Sequence, residues 1–518
     1  MPTIPNKATY LILIALGAIS VFAYAPFNRG ICIIISLLGL LWFMQESSVK
    51  QSVLKMLFYA VGFFGSQVYW VFYALHNEIG IDLFTSSLGT LASVVYLSLY
   101  LLLVIFLFKK LITHSNEFNY LILFPSCWVF GEWLRGWFIA GFSWSDISYT
   151  QVNNFLLQGY FPLLGSYGVS WLSLSIIGFL FLVIINHQIM VSPKPQITRW
   201  QRLSIVYFVI LAISGYYLHG KEYTQSYGKL TKVALLQGNL NGAEKWDSKK
   251  FLEHLDMYAS MISRSKADII ILPETAIQTF AEFLPEHYLD DIINLAKLNH
   301  AELVVGLPRQ INAAGDYVNS ATVFTQAGYP YYAKAHLVPF GEYVPLKWFW
   351  GKVFSFANIP MTGFSPGSYD QAPLTLANQK LAFNICYENG FGSELINSAA
   401  QSTLMVNLSD MVWFGDTIAE DQHLQISQAR ALENQRYFIQ ATSTGLTAII
   451  NSNGQVVTKL PDFEKNILQD YVQGRVGVTP YQRYGNYPII ILSLIILGVA
   501  GLIRLFRARN MKKSSNSF

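Results

Sequence analysis

Apolar and polar positions divide the chain into three regions. Apolar runs that approach the roughly 20 residues a bilayer requires fall at Ala8–Phe27, Ile31–Met44, Val53–Leu75, Phe84–Phe108, Asn119–Ala140, Leu163–Ile185, Leu203–Leu218 and Tyr487–Leu505. They predict eight membrane-spanning helices, the second and seventh short. Between Lys232 and Ile450 the pattern changes to short β-rich runs that alternate with amphipathic stretches. Strands are expected at Lys232–Leu236, Ile269–Leu272, Leu303–Gly306, Ala321–Thr325, Leu381–Ile385, Leu404–Asn407, Phe438–Thr442 and Thr447–Ile450. Helices are expected at Lys249–Ser263, Tyr288–Leu298 and Asp421–Gln435. Some of these strands are apolar throughout, as in a sheet covered by helices, so the region reads as an α/β layered domain. The expected organisation is seven spans in residues 1–218, a soluble domain in 219–486, and an eighth span with a polar tail in 487–518.

Composition sharpens this division. Hydrophobic residues make up 53% of the 518 and charged residues 13%, with a mean hydropathy of +0.35, which excludes a disordered, collagenous or ordinary cytosolic protein. Charged side chains number 16 in residues 1–218, 45 in 219–486 and 5 in 487–518. The net charge of +4 arises largely at helix ends, with no basic face interleaved with aromatics, so nucleic acid is not an expected partner. Lys7 ahead of an apolar run ending in Ala23-Tyr24-Ala25 resembles a leader peptide. The run is too long for one and Pro26 follows, so the segment is read as a span.

Basic loops tend to stay in the cytoplasm. Thirteen lysines and arginines, Lys109, Lys110 and Lys194 among them, fall on one side of the predicted spans, against Arg29 and Arg135 on the other. Both termini are therefore expected inside and residues 219–486 outside, in the periplasm of a Gram-negative cell. Glu132 and Arg135, three apart at the end of the fifth span, stand on one helical face. They read either as a functional charge pair or as an interfacial anchor in an aromatic belt.

Three cysteines are too few for a disulfide framework. Cys32 and Cys127 lie in apolar stretches, which leaves Cys386 as the thiol of the soluble domain. Cys386 follows the strand Leu381–Ile385, Glu274 follows Ile269-Ile-Ile-Leu-Pro273, and Lys334 follows Tyr331-Tyr-Ala333. Strand ends deliver side chains to the rim of a sheet, where sites form. Singly, each has an ordinary reading as a loop carboxylate, a solvated charge or a buried thiol. Together they suit acyl transfer. A thiol with a pKa of about 8.5 is mostly protonated at neutral pH and needs an adjacent base to attack a carbonyl. The resulting oxyanion needs a fixed cation and a backbone N–H. Spacings of 60 and 52 residues fix no geometry.

The strings Leu272-Pro-Glu-Thr-Ala276, Lys334-Ala-His-Leu-Val-Pro-Phe-Gly-Glu-Tyr-Val-Pro345 and Asn384-Ile-Cys-Tyr-Glu388 resemble the Glu, Lys and Cys motifs of the nitrilase superfamily. Gly341-Glu-Tyr-Val-Pro345, the eight spans, Phe142-Ser-Trp144, Gln237-Gly-Asn239, Trp413-Phe-Gly415 and Gln422-His423 extend the likeness along the chain to one branch, the bacterial apolipoprotein N-acyltransferases. The resemblance implies a nitrilase-like αββα sandwich inserted in an eight-helix transmembrane bundle. It implies Cys386 as nucleophile, Glu274 as general base and Lys334 as oxyanion-stabilising cation, with Glu342, Tyr387 and Glu388 supporting the site or binding substrate. It also implies a phospholipid donor, usually phosphatidylethanolamine, a diacylglyceryl-apolipoprotein acceptor, and neither metal nor diffusible cofactor. Asp410 and Met411 depart from a common Asn-Asp pair, and Ser443 and Thr444 from asparagines that often precede the glycine at 445. A membrane-tethered amidase giving the acyl group to water would use the same three side chains. A transporter or scaffold that merely binds lipid would have no use for the sulfur of Cys386.

Overall fold

The computed structural model describes residues 6–186, 199–245, 247–313, 315–325, 328–344, 348 and 363–515. Lys194 of the orientation count, Pro345 at the end of the lysine motif and residues 516–518 of the polar tail lie outside the described residues. The chain divides into two compact units. One comprises Met1–His76, Gly80–Lys221 and Tyr484–Phe518, the other Asn77–Ile79 and Glu222–Arg483.

In the first unit, helix covers each predicted apolar segment: α1 (Asn6–Ile19), α2 (Ile31–Met44), α3 (Val49–Gln67), α4 (Leu83–Leu111), α5 (Phe124–Arg135), α6 (Phe161–Ile185), α7 (Arg199–Leu218) and the C-terminal helix Tyr487–Ser515. Local chemistry sets several starts. Ser48 and Gln51 form a reciprocal capping box on α3, and the Asp82 carboxylate accepts the N–H groups of Phe84 and Thr85 to cap α4. Among the described residues, Leu83–Leu111, Gln158–Ile185 and Tyr487–Arg507 are long and apolar enough to cross a membrane, and three further apolar helices are shorter. The eight segments are thus unequal. Lys50 and Lys55 lie in the first two turns of α3, and α5 has 12 residues, with Glu132 and Arg135 in its last turn. A side chain on Gly17 would meet the Tyr59 carbonyl, and one on Gly62 the Ile14 carbonyl. Small residues therefore let α1 and α3 touch backbone to backbone.

Arg135 pairs with Asp146 at 2.5 Å rather than with Glu132. One Glu132 oxygen accepts the Trp128 indole N–H at 3.1 Å and the Ile147 backbone N–H at 2.9 Å. All three charged residues are no more than 4% exposed, and the Arg135–Asp146 pair ties the loop after α5 to the last turn of that helix. Helical spacing pointed to the i,i+3 neighbour, but Glu132 Oε1 takes two neutral donors and the loop supplies Asp146 to the guanidinium.

The second unit contains β1 (Thr224–Gln237), β2 (Ile269–Ile271), β3 (Glu302–Gln310), β4 (Tyr317–Phe324), β5 (Tyr331–Ala333), β6 (Leu374–Leu376), β7 (Gln379–Ile385), β8 (Leu404–Ser409), β9 (Tyr437–Thr442), β10 (Ala448–Ile450), β11 (Val456–Lys459) and β12 (Asn466–Gly477). They form two six-stranded sheets, ordered β12-β1-β2-β3-β4-β5 and β11-β10-β9-β8-β7-β6. The β1-β2-β3 and β7-β8-β9 stretches are parallel, and the flanking pairs are antiparallel.

Alternation explains the layering. Ala234, Leu236, Ile270, Leu303 and Val305 pack with Leu255, Tyr258 and Ile262 of α8 (Phe251–Arg264) and Ile292 of α9 (Tyr288–Leu298). Val233, Leu235 and Val304, on the opposite face, are equally buried. In the second sheet Ala382, Met405 and Phe438 meet Leu395 of α10 (Gly392–Gln401) and Leu424 and Ala431 of α11 (Ala419–Asn434). The sheets pack on each other through β1 with β9 and β4 with β7. Helices thus cover the outer faces of a four-layer αββα sandwich, and apolar strands with both faces buried are the reason.

Candidate active site

Cys386 follows β7 with φ +53°, in the left-handed region. For a side chain with a Cβ this costs about 1–2 kcal/mol, so the surroundings must hold it there. Its carbonyl accepts the Asn407 side-chain amide at 3.2 Å and contacts His423 Nε2 at 3.2 Å. Burial pushes the His423 imidazole down to about 4, so the ring is neutral and carries its proton on Nε2 when it donates to that carbonyl. Strand β8 and helix α11 therefore clamp one oxygen and fix the turn on which the thiol sits.

Glu274 lies three residues beyond β2, in a loop that crosses β3 at Gly306. A side chain at Gly306 would collide with the Pro273 carbonyl and the Glu274 backbone. One Glu274 oxygen accepts the Asn319 amide at 2.6 Å and the Lys334 ammonium at 3.2 Å, and the other accepts the Asp410 backbone N–H at 2.8 Å. Burial raises the carboxyl pKa, Lys334 opposes the rise, and the charges of Glu342 and Asp410 add to it. Lys334, directly after β5, also donates to Glu342 at 2.9 Å and is 1% exposed. Burial by itself would lower its pKa, but Glu274, Glu342 and Cys386 together carry it well above the ordinary lysine value. Glu342 accepts the Asn319 amide at 3.1 Å and the Val338 backbone N–H at 2.7 Å, so its carboxylate is fixed against the ammonium.

Burial, followed by the Glu274 charge, pushes the Cys386 thiol well above its usual range, while Lys334 pulls it back. The resting sulfur is therefore a thiol and not a preformed thiolate. A nucleophilic role for this sulfur would require its proton to leave during attack, and Glu274 is the carboxylate with the largest electrostatic hold on it. Glu274, Lys334 and Glu342 thus form one hydrogen-bonded cluster whose charges act on the Cys386 thiol.

Glu388 serves as a staple. Its oxygens accept the backbone N–H groups of Ala335 (2.7 Å), His336 (2.9 Å) and Ile385 (2.6 Å), together with the Tyr332 hydroxyl at 3.0 and 2.9 Å. The residues next to Lys334 and Cys386 are thereby joined through one carboxylate. Burial pushes that group up to about 7, against the donors that favour its charge. Tyr387 packs edge-on against Phe391 with ring centroids 4.9 Å apart.

Sequence reasoning missed Asn319, Asn407 and Lys245 as contributors, and His423 entered only within the Gln422-His423 string, with no role assigned. Lys245 donates to Thr275 Oγ1 at 2.7 Å and forms a buried ion pair with Asp410. An asparagine inside the β-rich run Val318-Asn-Ser-Ala321 was the available signal for Asn319. Lys245, in a polar stretch, carried none.

Residues 232–481 match the carbon-nitrogen hydrolase family, and residues 16–184 match the apolipoprotein N-acyltransferase N-terminal domain. The chain is 36% identical to an apolipoprotein N-acyltransferase of Chromobacterium violaceum, over 94% of this chain and 93% of that one. It is 34% identical to one of Nitrosomonas europaea, over 96% and 97%. It is 35% identical to one of Neisseria meningitidis serogroup B, over 94% and 95%.

Proposed function

The chain belongs to the apolipoprotein N-acyltransferase family, and from that premise we propose how it moves an acyl group. The protein is a membrane enzyme that N-acylates lipoproteins. The acyl donor is a phospholipid, phosphatidylethanolamine by resemblance, and the acceptor is the α-amino group of a diacylglyceryl-modified N-terminal cysteine. The Cys386 sulfur attacks the ester carbonyl of the donor as Glu274 takes the thiol proton. The Lys334 ammonium faces the oxyanion. When the C–O bond breaks, Glu274 passes the proton to the departing lysophospholipid, leaving a thioester and an ionised Glu274. The neutral amine then attacks the thioester, its proton moves to Glu274 and on to the sulfur, and the amide and the thiol form together. An α-amino group with a pKa of about 8 supplies the neutral amine at neutral pH far better than a lysine at about 10.4.

The observation that carries this reading is the shared contact of Glu274 with Lys334 at 3.2 Å, both groups acting on the Cys386 sulfur. Glu342, Asn319 and Glu388 keep those groups in place. We read the first unit as an eight-span bundle in the inner membrane, with the nitrilase-like domain periplasmic and both termini cytoplasmic. The thirteen-to-two basic asymmetry supports this.

One thiol serving two substrates in turn requires ping-pong kinetics. Initial rates of the purified protein with phospholipid and diacylglyceryl peptide should give parallel double-reciprocal lines. A free peptide N-terminus should be essential. Intersecting lines would sink the thioester route, and rapid discharge of the acyl group by water would favour the amidase.

A further inference from the structure

Lys245 sits on the four-residue turn Gly242–Lys245, far in sequence from every motif that carries the chemistry. Its side chain is nonetheless 2% exposed and reaches two segments that frame Glu274. The Nζ atom donates to the Thr275 hydroxyl, on the residue that follows Glu274 and has φ +45°. It also pairs with Asp410, whose backbone N–H donates to Glu274 Oε2 at 2.8 Å. The second Asp410 oxygen accepts the Ser443 hydroxyl at 2.5 Å. Thr275 belongs to the loop after β2 in one sheet and Asp410 to the end of β8 in the other. A single buried cation therefore ties both strand ends that hold the base.

Electrostatics give the tie a second effect. Glu274 faces Lys334, Glu342, Cys386 and Asp410, and Asp410 raises the pKa of both Glu274 and the Cys386 thiol. Three carboxylates around one ammonium would make thiol ionisation costly, and a second ammonium offsets the third carboxylate. We infer that Lys245 is a positioning residue for acyl transfer, neutralising Asp410 and holding Glu274 where it accepts the Cys386 proton. The inference rests on the roles given above to Glu274 and Cys386, and it extends the site to a lysine outside the three motifs.

The test is the pH dependence of the lysophospholipid burst given by the full-length protein on phospholipid alone. Glu274 must be ionised to act as base, so its pKa sets the acidic limb. Lys245→Met should slow the burst about 10- to 100-fold, the scale on which misplacing a reacting group acts, and move the acidic limb to higher pH. Asp410→Asn should move the limb to lower pH. The double variant, a neutral pair of similar shape, should bring the limb back and recover most of the lost rate. Single variants that slow the burst with an unmoved limb would make the pair merely structural and overturn the inference. If Lys245→Met fails to fold, the downward shift in Asp410→Asn and its reversal in the double variant still decide. No burst from the wild-type protein would instead strike at the thioester reading itself.

Discussion

Replacing Lys334 with methionine keeps an unbranched side chain one atom shorter and removes its charge. The ammonium lies 3.2 Å from Glu274 Oε1 and 2.9 Å from Glu342 Oε1. At an effective dielectric of about 20, each contact is worth roughly 5 kcal/mol before desolvation, and the ammonium opposes the rise that burial imposes on Glu274. In Lys334→Met the two would be left sharing the Asn319 amide. Two like charges so placed do not both ionise readily, and one takes up a proton. Glu274, already raised by burial, loses its ability to act as base near neutral pH. The oxyanion also loses a donor, which costs about 10²- to 10³-fold in rate. The variant should therefore show a burst of lysophospholipid slowed by at least that factor, with an acidic limb displaced to higher pH. Lys334→Arg should recover little, because a planar fork does not occupy the position of an ammonium. The assay is rapid-quench measurement of the burst across pH, with thermal midpoints recorded to confirm folding. A methionine variant with the wild-type burst would reduce Lys334 to a structural cation. A slowed variant with an unmoved limb would uncouple it from Glu274.

Two further expectations concern stability and topology. Burial, with Asp462, Asp421 and Asp416 nearby, pushes Glu420 up to about 9, and its Oε1 has no hydrogen-bond partner among the described residues. The folded protein thus keeps a proton there that the unfolded chain releases above about pH 4.5, and stability falls as pH rises through that window. Glu420→Gln removes the effect, on the order of 3 kcal/mol, so its gain in thermal midpoint should be larger at pH 8 than at pH 5; equal gains would contradict the cause. A reporter active only outside the cytoplasm should work when fused after Gly242 and fail at the C-terminus, and the reverse would put the chemistry on the wrong side of the membrane.

The parts of the fold that the sequence revealed are those in which periodicity and burial agree. All eight expected strands and the three expected helices of the second unit are present. The parallel strands are apolar on both faces, and α8 and α9 present one apolar stripe each. The elements missed are those in which burial is partial. β12 alternates buried and exposed positions over Asn466–Gly477, and its Gln, Asp and Arg residues mask an edge strand paired along the whole of β1. β5, β6 and β11 have three or four residues each, too few for a period to be seen. The side chains proposed to carry the chemistry were legible because they stand at strand ends in recognisable strings. The groups that hold them were not. Asn319, His423 and Lys245 act through contacts closed by the tertiary fold, and Arg135 chose Asp146 over its helical neighbour for the same reason.

The central claim is a covalent acyl group on Cys386, and intact mass spectrometry of the purified full-length protein tests it most directly. After exposure to phospholipid alone, the wild-type mass should rise by one acyl chain and map to Cys386. The Cys386→Ser protein should stay unmodified, because a carboxylate is poorly matched to deprotonating an alkanol. Adding diacylglyceryl peptide with a free N-terminus should return the protein to its original mass, and a blocked peptide should not. An unchanged wild-type mass, or an acyl group mapped to any other residue, would contradict the account.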